Sequence, residues 1–311
     1  MADECNMGNG KKIRFIYNPH SGVIHPEGLV RRLVDYYFPP NLCEFDFHVT
    51  EGRGHGNELS KDAVKKGFDI VVGIGGDGTI NEVASAIVNT DTVLGIVPMG
   101  SGNGLARTLG VPLLFRRAIQ LITRGKVHCI DVGKVDDRYF FATAGFGFDA
   151  VVGKRFEETR LRGPAPYYFY SVQEFFRYHT PKYEIKFEGR KIKKQAFIVA
   201  AANTSQYGNN AIIAPSAQPD DGLLDLAIIS DINLATTLFY LPTLFTGKID
   251  KVPVYEIYRS TKFEIYREYP APYTLDGEVF DGDMHLSVSL LPKALKVIVG
   301  KSFLNSRKNG S

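Results

Sequence analysis

The run Gly75-Gly76-Asp77-Gly78-Thr79-Ile80-Asn81-Glu82 combines the residue types that phosphate chemistry needs. It follows a short apolar run, Asp69–Ile74, and leads into a segment with helical spacing, Thr79–Val88. Glycines at a strand–turn–helix junction let the backbone approach a phosphate closely, because no Cβ intervenes. The helix that follows offers unpaired N–H groups and the positive end of its dipole to an anion. Asp77 would stand beside that anion, where a carboxylate can hold Mg2+ through water or accept a proton. Thr79 can cap the helix or bind a phosphate oxygen. Taken alone, Gly-Gly-Asp-Gly serves equally well as a plain turn.

Two further loops change that balance. The apolar strand Val93–Val97 runs into Pro98-Met99-Gly100-Ser101-Gly102-Asn103-Gly104, followed by a helical segment, Leu105–Leu109. The strand Lys12–Tyr17 runs into Asn18-Pro19-His20-Ser21-Gly22. Parallel strands deliver their C-terminal ends to one edge of a sheet, where ligands bind. Three loops of small, hydroxyl-bearing and amide-bearing residues on one edge describe a nucleotide pocket. There is no Gly-x4-Gly-Lys-Ser/Thr run, and no Gly-x-Gly-x-x-Gly after the first strand followed by a ribose-binding acid, so neither a P-loop nor a Rossmann dehydrogenase is indicated. Farther along, Asp276-Gly277-Glu278 and Asp220-Asp221-Gly222 read as hairpin turns. The second could also offer carboxylate and carbonyl oxygens to Mg2+. Asp131 either caps a turn or joins the site.

The elements that must position these residues divide the 311-residue chain in two, with a boundary near residue 126. Up to that point strands alternate with helices, including Glu27–Phe38 with Leu29, Leu33, Val34 and Tyr37 on one face, Asn57–Lys66, and Leu113–Thr123. Alternation with short loops gives an α/β domain with a mostly parallel sheet. From about Val127 onward, β-branched and aromatic runs separated by Gly, Asp and Asn read as an antiparallel β domain holding two helices, Tyr167–Tyr178 and Leu234–Phe245. Asn305–Ser311 reads as a frayed tail. The net charge of +3 is too small to indicate nucleic acid. The three cysteines have no ligand spacing and suit reduced thiols in a cytosol. No run is long enough to span a bilayer. The aromatic stretch Pro164–Tyr178, flanked by Lys154, Arg155, Arg160 and Arg162, suits either a membrane–water interface or core packing.

Together these residues resemble the diacylglycerol-kinase-like lipid kinase superfamily, which includes bacterial YegS-like lipid kinases and sphingosine kinases. Six motifs stand in family order: Asn18-Pro19-x-Ser21-Gly22, Gly75 to Glu82, Pro98-x-Gly100-Ser101-Gly102-Asn103, Ile130-Asp131-x-Gly133, Asp220 to Asp225, and Leu275-Asp276-Gly277-Glu278. The resemblance implies an N-terminal domain like that of phosphofructokinase and NAD kinase, a C-terminal β-sandwich, and an active site in the interdomain cleft. Residues 1–126 would form the ATP-binding catalytic domain. Residues 127–311 would form the lipid-substrate domain, with the C-terminal end free to pack back on the first. ATP would be held by Asn18, Ser21, Thr50, Gly75, Gly76, Asp77, Gly78, Thr79, Ile80, Asn81, Ser101 and Asn103. Glu278 maps onto the general base, which a lipid hydroxyl of high pKa requires. Asp77 and Asp131 map onto a water-bridged Mg2+ network, and Gln218, Asp221 and Leu223 onto a second, structural Mg2+ site.

The implied activity is transfer of the γ-phosphate of ATP to a lipid hydroxyl, on diacylglycerol, another glycerolipid or a sphingoid base. One position departs from many diacylglycerol kinases: Gly104 stands where they carry an acid, as in sphingosine- and ceramide-kinase-like members. Asp149, after Gly145-Phe146-Gly147-Phe148, stands where sphingosine kinases contact the lipid amine. The partners expected are a membrane lipid and the membrane surface, met peripherally from the cytoplasm. A homodimer is compatible with the sequence, and nucleic acid is not expected. The rival readings are a kinase of soluble substrates like NAD kinase, and a catalytically silent lipid- or nucleotide-binding module.

Overall fold

The computed structural model describes residues 10–22, 26–41, 43–157, 173–208, 210–230 and 234–308. The chain forms two compact units, one of Met1–Val132 with Pro292–Ser311 and one of Gly133–Leu291. In the first, β1 (Lys12–Tyr17), β2 (Glu44–Val49), β3 (Ile70–Gly75) and β4 (Val93–Pro98) form a parallel sheet in the order β4-β3-β1-β2. β3 and β4 are buried along their whole length, as central parallel strands covered on both faces must be.

Five helices follow these strands: α1 (Glu27–Tyr37), α2 (His55–Lys65), α3 (Asp77–Ile87), α4 (Gly104–Thr108) and α5 (Phe115–Arg124). The inward face of α1 carries Val30 and Val34, with Phe38 buried just past its end, while Leu29, expected on that face, is 43% exposed. A charged side chain of β1 lies in the core. Arg14 of β1 is buried, and its guanidinium donates to Asp46 at 2.7 Å, to Asp62 at 2.6 Å and to the Leu59 carbonyl at 3.0 Å. A buried arginine is tolerable because its charge and donors are met in this way.

The chain enters the second unit through β5 (Lys126–Val135). There follow β6 (Arg138–Phe140), β7 (Thr143–Gly145), α6 (Phe148–Glu157), helical residues 173–177 (α7), β8 (Lys182–Phe187) and β9 (Arg190–Ala202). Then come β10 (Gln206–Gly208), β11 (Ala211–Ile212), β12 (Leu224–Ser230), α8 (Leu234–Thr246), β13 (Tyr255–Ser260), β14 (Lys262–Arg267), β15 (Ala271–Leu275), β16 (Glu278–Gly282) and β17 (His285–Val299). The strands are antiparallel. The first half of β9 pairs with β8, which leads on to β14 and β17. Its second half pairs with β7 and β12, leading to β15, β16 and β13. Inward side chains from both sets, among them Phe140, Ile185, Val199, Leu226, Phe263 and Val288, share one core, which makes this unit sandwich-like.

β17 carries the chain back. Its Val297 pairs in parallel with Leu94 of β4 in the first unit. Residues 301–308 then form α9 (Lys301–Lys308), which buries Phe303, so a helix replaces most of the frayed tail expected over Asn305–Ser311.

Candidate active site

The three small-residue loops of the first unit meet through side-chain and backbone hydrogen bonds. Asn18, just past β1, donates from Nδ2 to Thr79 Oγ1 at 2.8 Å, and Ser21 Oγ lies 3.4 Å from the same hydroxyl. Asn18 Oδ1 also accepts the His20 N–H at 2.9 Å, which shapes the turn. Asp77 opens α3, and its two carboxylate oxygens accept the N–H groups of Asn103 at 2.8 Å and Gly104 at 2.9 Å. The carboxylate therefore ties the Gly75–Thr79 loop to the Gly100–Gly104 loop. Burial pushes the Asp77 carboxyl up, against the two N–H donors, which favour its ionised form.

The glycines are required where these loops touch. A Cβ on Gly100 would lie 2.8 Å from Gly76 Cα, and one on Gly102 would lie 2.8 Å from Asp77 Oδ2. Gly22 has φ +53°, and a Cβ there would lie 1.7 Å from the Met99 carbonyl oxygen. Asn103 adopts the left-handed conformation before α4 and closes its own loop, donating to the Gly100 carbonyl at 2.6 Å and accepting the Gly100 N–H at 3.0 Å.

The other expected nucleotide-binding positions divide by burial. Thr79 and Ile80 are buried at the start of α3, and Ile80 packs over Gly73. Thr50, at the end of β2, is buried and held by its N–H to the Tyr17 carbonyl at 2.8 Å. Gly76, Gly78 and Asn81 are half-buried, Gly75 is buried within β3, and Ser101 is exposed. Glu82 has a structural task that no local sequence pattern announces. Its carboxylate accepts the N–H groups of Gly54 at 2.7 Å and Gly56 at 3.0 Å, capping the start of α2 from outside that helix.

Among the described residues no group of three or more His, Cys, Asp or Glu side chains is arranged to hold a metal. Mg2+ usually takes one or two carboxylates and fills its shell with phosphate and water oxygens. Asp77 fits that role, since each of its oxygens accepts a loop N–H and a carboxylate oxygen has room for a second contact. Asp131 is buried in the first unit, and its Oδ1 accepts the Lys293 N–H at 2.7 Å, which braces Lys293 at φ +51°.

In the second unit Glu278 begins β16, half-buried, at the end of the Asp276-Gly277 turn. Both turn residues have positive φ, as a tight hairpin requires. Asp276 does more than turn the chain: its carboxylate accepts the N–H groups of Phe141 at 2.9 Å, Ala142 at 2.7 Å and Thr143 at 3.1 Å. Buried Asn203 donates to the Phe141 carbonyl at 3.0 Å, so the hairpin that carries Glu278 is anchored on a fixed polar cluster. An aspartate ahead of glycine was the visible signal, but its three acceptor contacts lie more than a hundred residues away in sequence.

Asp149 lies in the first turn of α6. Its carboxylate accepts the Tyr207 hydroxyl, the Thr274 hydroxyl at 3.2 Å and the Gly147 N–H at 3.2 Å, and burial pushes it up. Gln218 is exposed, and Asp221 accepts the Leu223 N–H at 3.1 Å. The other Asp221 oxygen pairs with Arg259, whose Nε lies 3.0 Å from buried Asp225. Here a guanidinium neutralises Asp221, the one carboxylate that the resemblance offers to a structural Mg2+ beside Gln218 and Leu223. That donor set does not fit a divalent cation while Arg259 holds it.

Of the basic residues near the aromatic stretch, Lys154 pairs with Asp281 at 2.5 Å and Arg155 with Glu174 at 3.7 Å. Arg160, Arg162 and residues 167–172 of the helix expected over Tyr167–Tyr178 lie outside the described residues; 173–177 are helical. α8 packs Tyr240 and Leu244 against a core of Ala200, Ile229 and Tyr255, while Phe239 and Phe245 remain exposed. Among the described residues no helix is long and apolar enough to cross a membrane.

The fold is that of known kinases. The chain superposes on a crystal structure of a diacylglycerol kinase from Bacillus anthracis str. Sterne with a TM-score of 0.70 at 19% identity, covering 94% of this chain and 98% of that one. It also superposes on an NAD kinase from Archaeoglobus fulgidus in complex with ATP, with a TM-score of 0.56 at 13% identity, covering 96% and 97%. The family model of the diacylglycerol kinase catalytic domain matches residues 12–135, and that of the YegS C-terminal NAD kinase beta sandwich-like domain matches residues 142–299. A protein of Enterobacter sp. (strain 638) named as a probable YegS-like lipid kinase is 31% identical over 79% of this chain and 83% of its own length. The diacylglycerol kinase of Bacillus subtilis (strain 168) is 30% identical over 72% of this chain and 76% of its own length. The chain belongs to the family of YegS-like lipid kinases and diacylglycerol kinases, and is a kinase.

Proposed function

We propose that this kinase transfers the γ-phosphate of ATP to the hydroxyl of a membrane glycerolipid such as diacylglycerol. The observation that carries the reading is the convergence of Asn18, Ser21, Asp77, Thr79, Asn103 and Gly104 in one hydrogen-bonded set of glycine loops at the strand ends. Such loops favour close backbone contact with a triphosphate, and the start of α3 favours its negative charge. Bound Mg2+ would draw charge from the phosphate oxygens being separated. Asp77 would hold that ion with one face of its carboxylate while fixing the second loop with the other. Asp131 joins the proposed Mg2+ network by family resemblance alone.

Glu278 accepts the proton of the attacking lipid hydroxyl, and Asp276 holds the hairpin that presents it. A sphingoid base is the second acceptor. Asp149 would receive its amine, but that carboxylate already serves Tyr207, Thr274 and the Gly147 N–H, which favours the glycerolipid. Labelled ATP offered with micelles of diacylglycerol or of sphinganine tests the assignment. Label in diacylglycerol supports it, and label in sphinganine alone overturns it.

A further inference from the structure

A cavity of about 280 Å³ lies in the second unit, walled by Phe146, Tyr178, Tyr183, Tyr269 and Pro272, with Arg267 at its wall. Arg267 is 5% exposed. Its guanidinium donates through Nε at 3.2 Å and Nη2 at 2.5 Å to the Asp283 carbonyl, and through Nη1 at 3.2 Å to the Pro272 carbonyl. A guanidinium has five N–H donors, so these three contacts leave part of it uncommitted. Carbonyl oxygens satisfy donors without supplying a counter-charge. No carboxylate among the described residues forms an ion pair with Arg267.

The contrast with the other core arginine is informative. Arg14 is equally buried but pairs with two carboxylates. A buried cation with no carboxylate in direct contact is costly, and burial pushes Arg267 below the ordinary arginine range against the opposing pull of the Asp283 charge. The fold nevertheless keeps room for it: a Cβ on Gly282 would lie 2.7 Å from Arg267 Nη2. A second cation, Arg177, stands at the cavity with its side chain 61% exposed and 4.0 Å from Glu174, which also faces Arg155 at 3.7 Å. The remaining walls carry aromatic and proline surface, which suits a hydrocarbon stem, together with His179 and with Glu174, whose charge is met by Arg155 and Arg177.

We propose that this cavity binds an anionic amphiphile, with a carboxylate or phosphate head received by Arg267 and a short apolar stem received by the aromatic walls. The inference does not depend on the phosphotransfer reading, and its test uses neither ATP nor Mg2+. Octyl phosphate, octanoate, octanol and inorganic phosphate, each below any micellar concentration, would be titrated against the full chain by calorimetry. Octyl phosphate and octanoate should bind, octanol and inorganic phosphate much more weakly. Arg267→Lys should weaken octyl phosphate binding about tenfold, the size of one charge-assisted hydrogen bond. Ala271→Phe, which fills the cavity and leaves the arginine in place, should weaken it at least as much, so the test survives if one variant fails to fold. Equal binding of octanol or of inorganic phosphate would overturn the amphiphile assignment. Octyl phosphate binding unchanged in a folded variant of either kind would locate the ligand elsewhere and refute the site.

Discussion

Replacing Gly100 by alanine tests whether the glycine loops must touch. The new Cβ would lie 2.8 Å from Gly76 Cα and 3.0 Å from Asn103 Oδ1. Carbon atoms pack best at about 3.5–4.0 Å, so the two backbones would have to separate by roughly 1 Å. Neither contact is with a flexible side-chain end that could swing away, since Asn103 Oδ1 is held by the Gly100 N–H. Overpacking of this kind costs about 1–3 kcal/mol, which in a unit of this size lowers Tm by roughly 2–4 °C per kcal/mol. A shift of about 1 Å in groups that position a substrate can cost on the order of 100-fold in rate. Gly100→Ala should therefore lower Tm by several degrees and depress kcat/KM for ATP far more than its stability loss would suggest. Gly28→Ala is the matched control. Gly28 lies exposed in α1 with nothing within 4 Å of where a Cβ would stand, so the change should stabilise by about 0.5–1 kcal/mol. A Gly100→Ala enzyme with unchanged Tm and unchanged KM for ATP would refute the claim that these loops meet as described.

Other consequences follow from single contacts. Asp77→Asn leaves one of the Asn103 and Gly104 N–H groups facing an amide NH2, so it should cost about 1–3 kcal/mol in thermal unfolding and abolish most turnover. Asp276→Ala strips three backbone N–H groups of their acceptor; it should destabilise the second unit and lower kcat even though Asp276 touches no substrate. Lys66 and Arg14 pull Asp62 down to about 2 from an ordinary 3.8. A depressed carboxyl stabilises the fold above its unfolded value and loses that contribution as pH falls, so stability should decline between 3.8 and about 2. Asp62→Asn should flatten that part of the pH profile in acid unfolding.

The parts of the fold that were legible in the sequence are those with a local cause. β3 and β4 are apolar runs, β1 is apolar apart from Lys12 and Arg14, and the glycine-, proline- and asparagine-bearing loops after them carry the chemistry. What was hidden depends on distant partners. α6 was not among the two helices expected in this half of the chain; its Gly153 packs near Val279 and Thr274. The first half of β9, Arg190 to Gln195, is nearly all polar, so no hydrophobic pattern marks it as a strand, and β8 supplies its hydrogen bonds. β17 joins both units, a path that no local pattern records. At the site, Asp77 was visible as a candidate, but its grip on Asn103 and Gly104 was not. The pairing of Arg259 with Asp221 and Asp225 was equally invisible, since a surface arginine in a strand carries no sign of its partner.

The most direct measurement is label transfer from ATP with Mg2+ into a panel of mixed micelles of diacylglycerol, phosphatidylglycerol, sphinganine and ceramide, with soluble NAD alongside and a Glu278→Gln variant in parallel. Label in diacylglycerol that disappears in Glu278→Gln, with the variant still folded, is the predicted result. Label confined to NAD, or lipid label undiminished in the variant, would contradict the account.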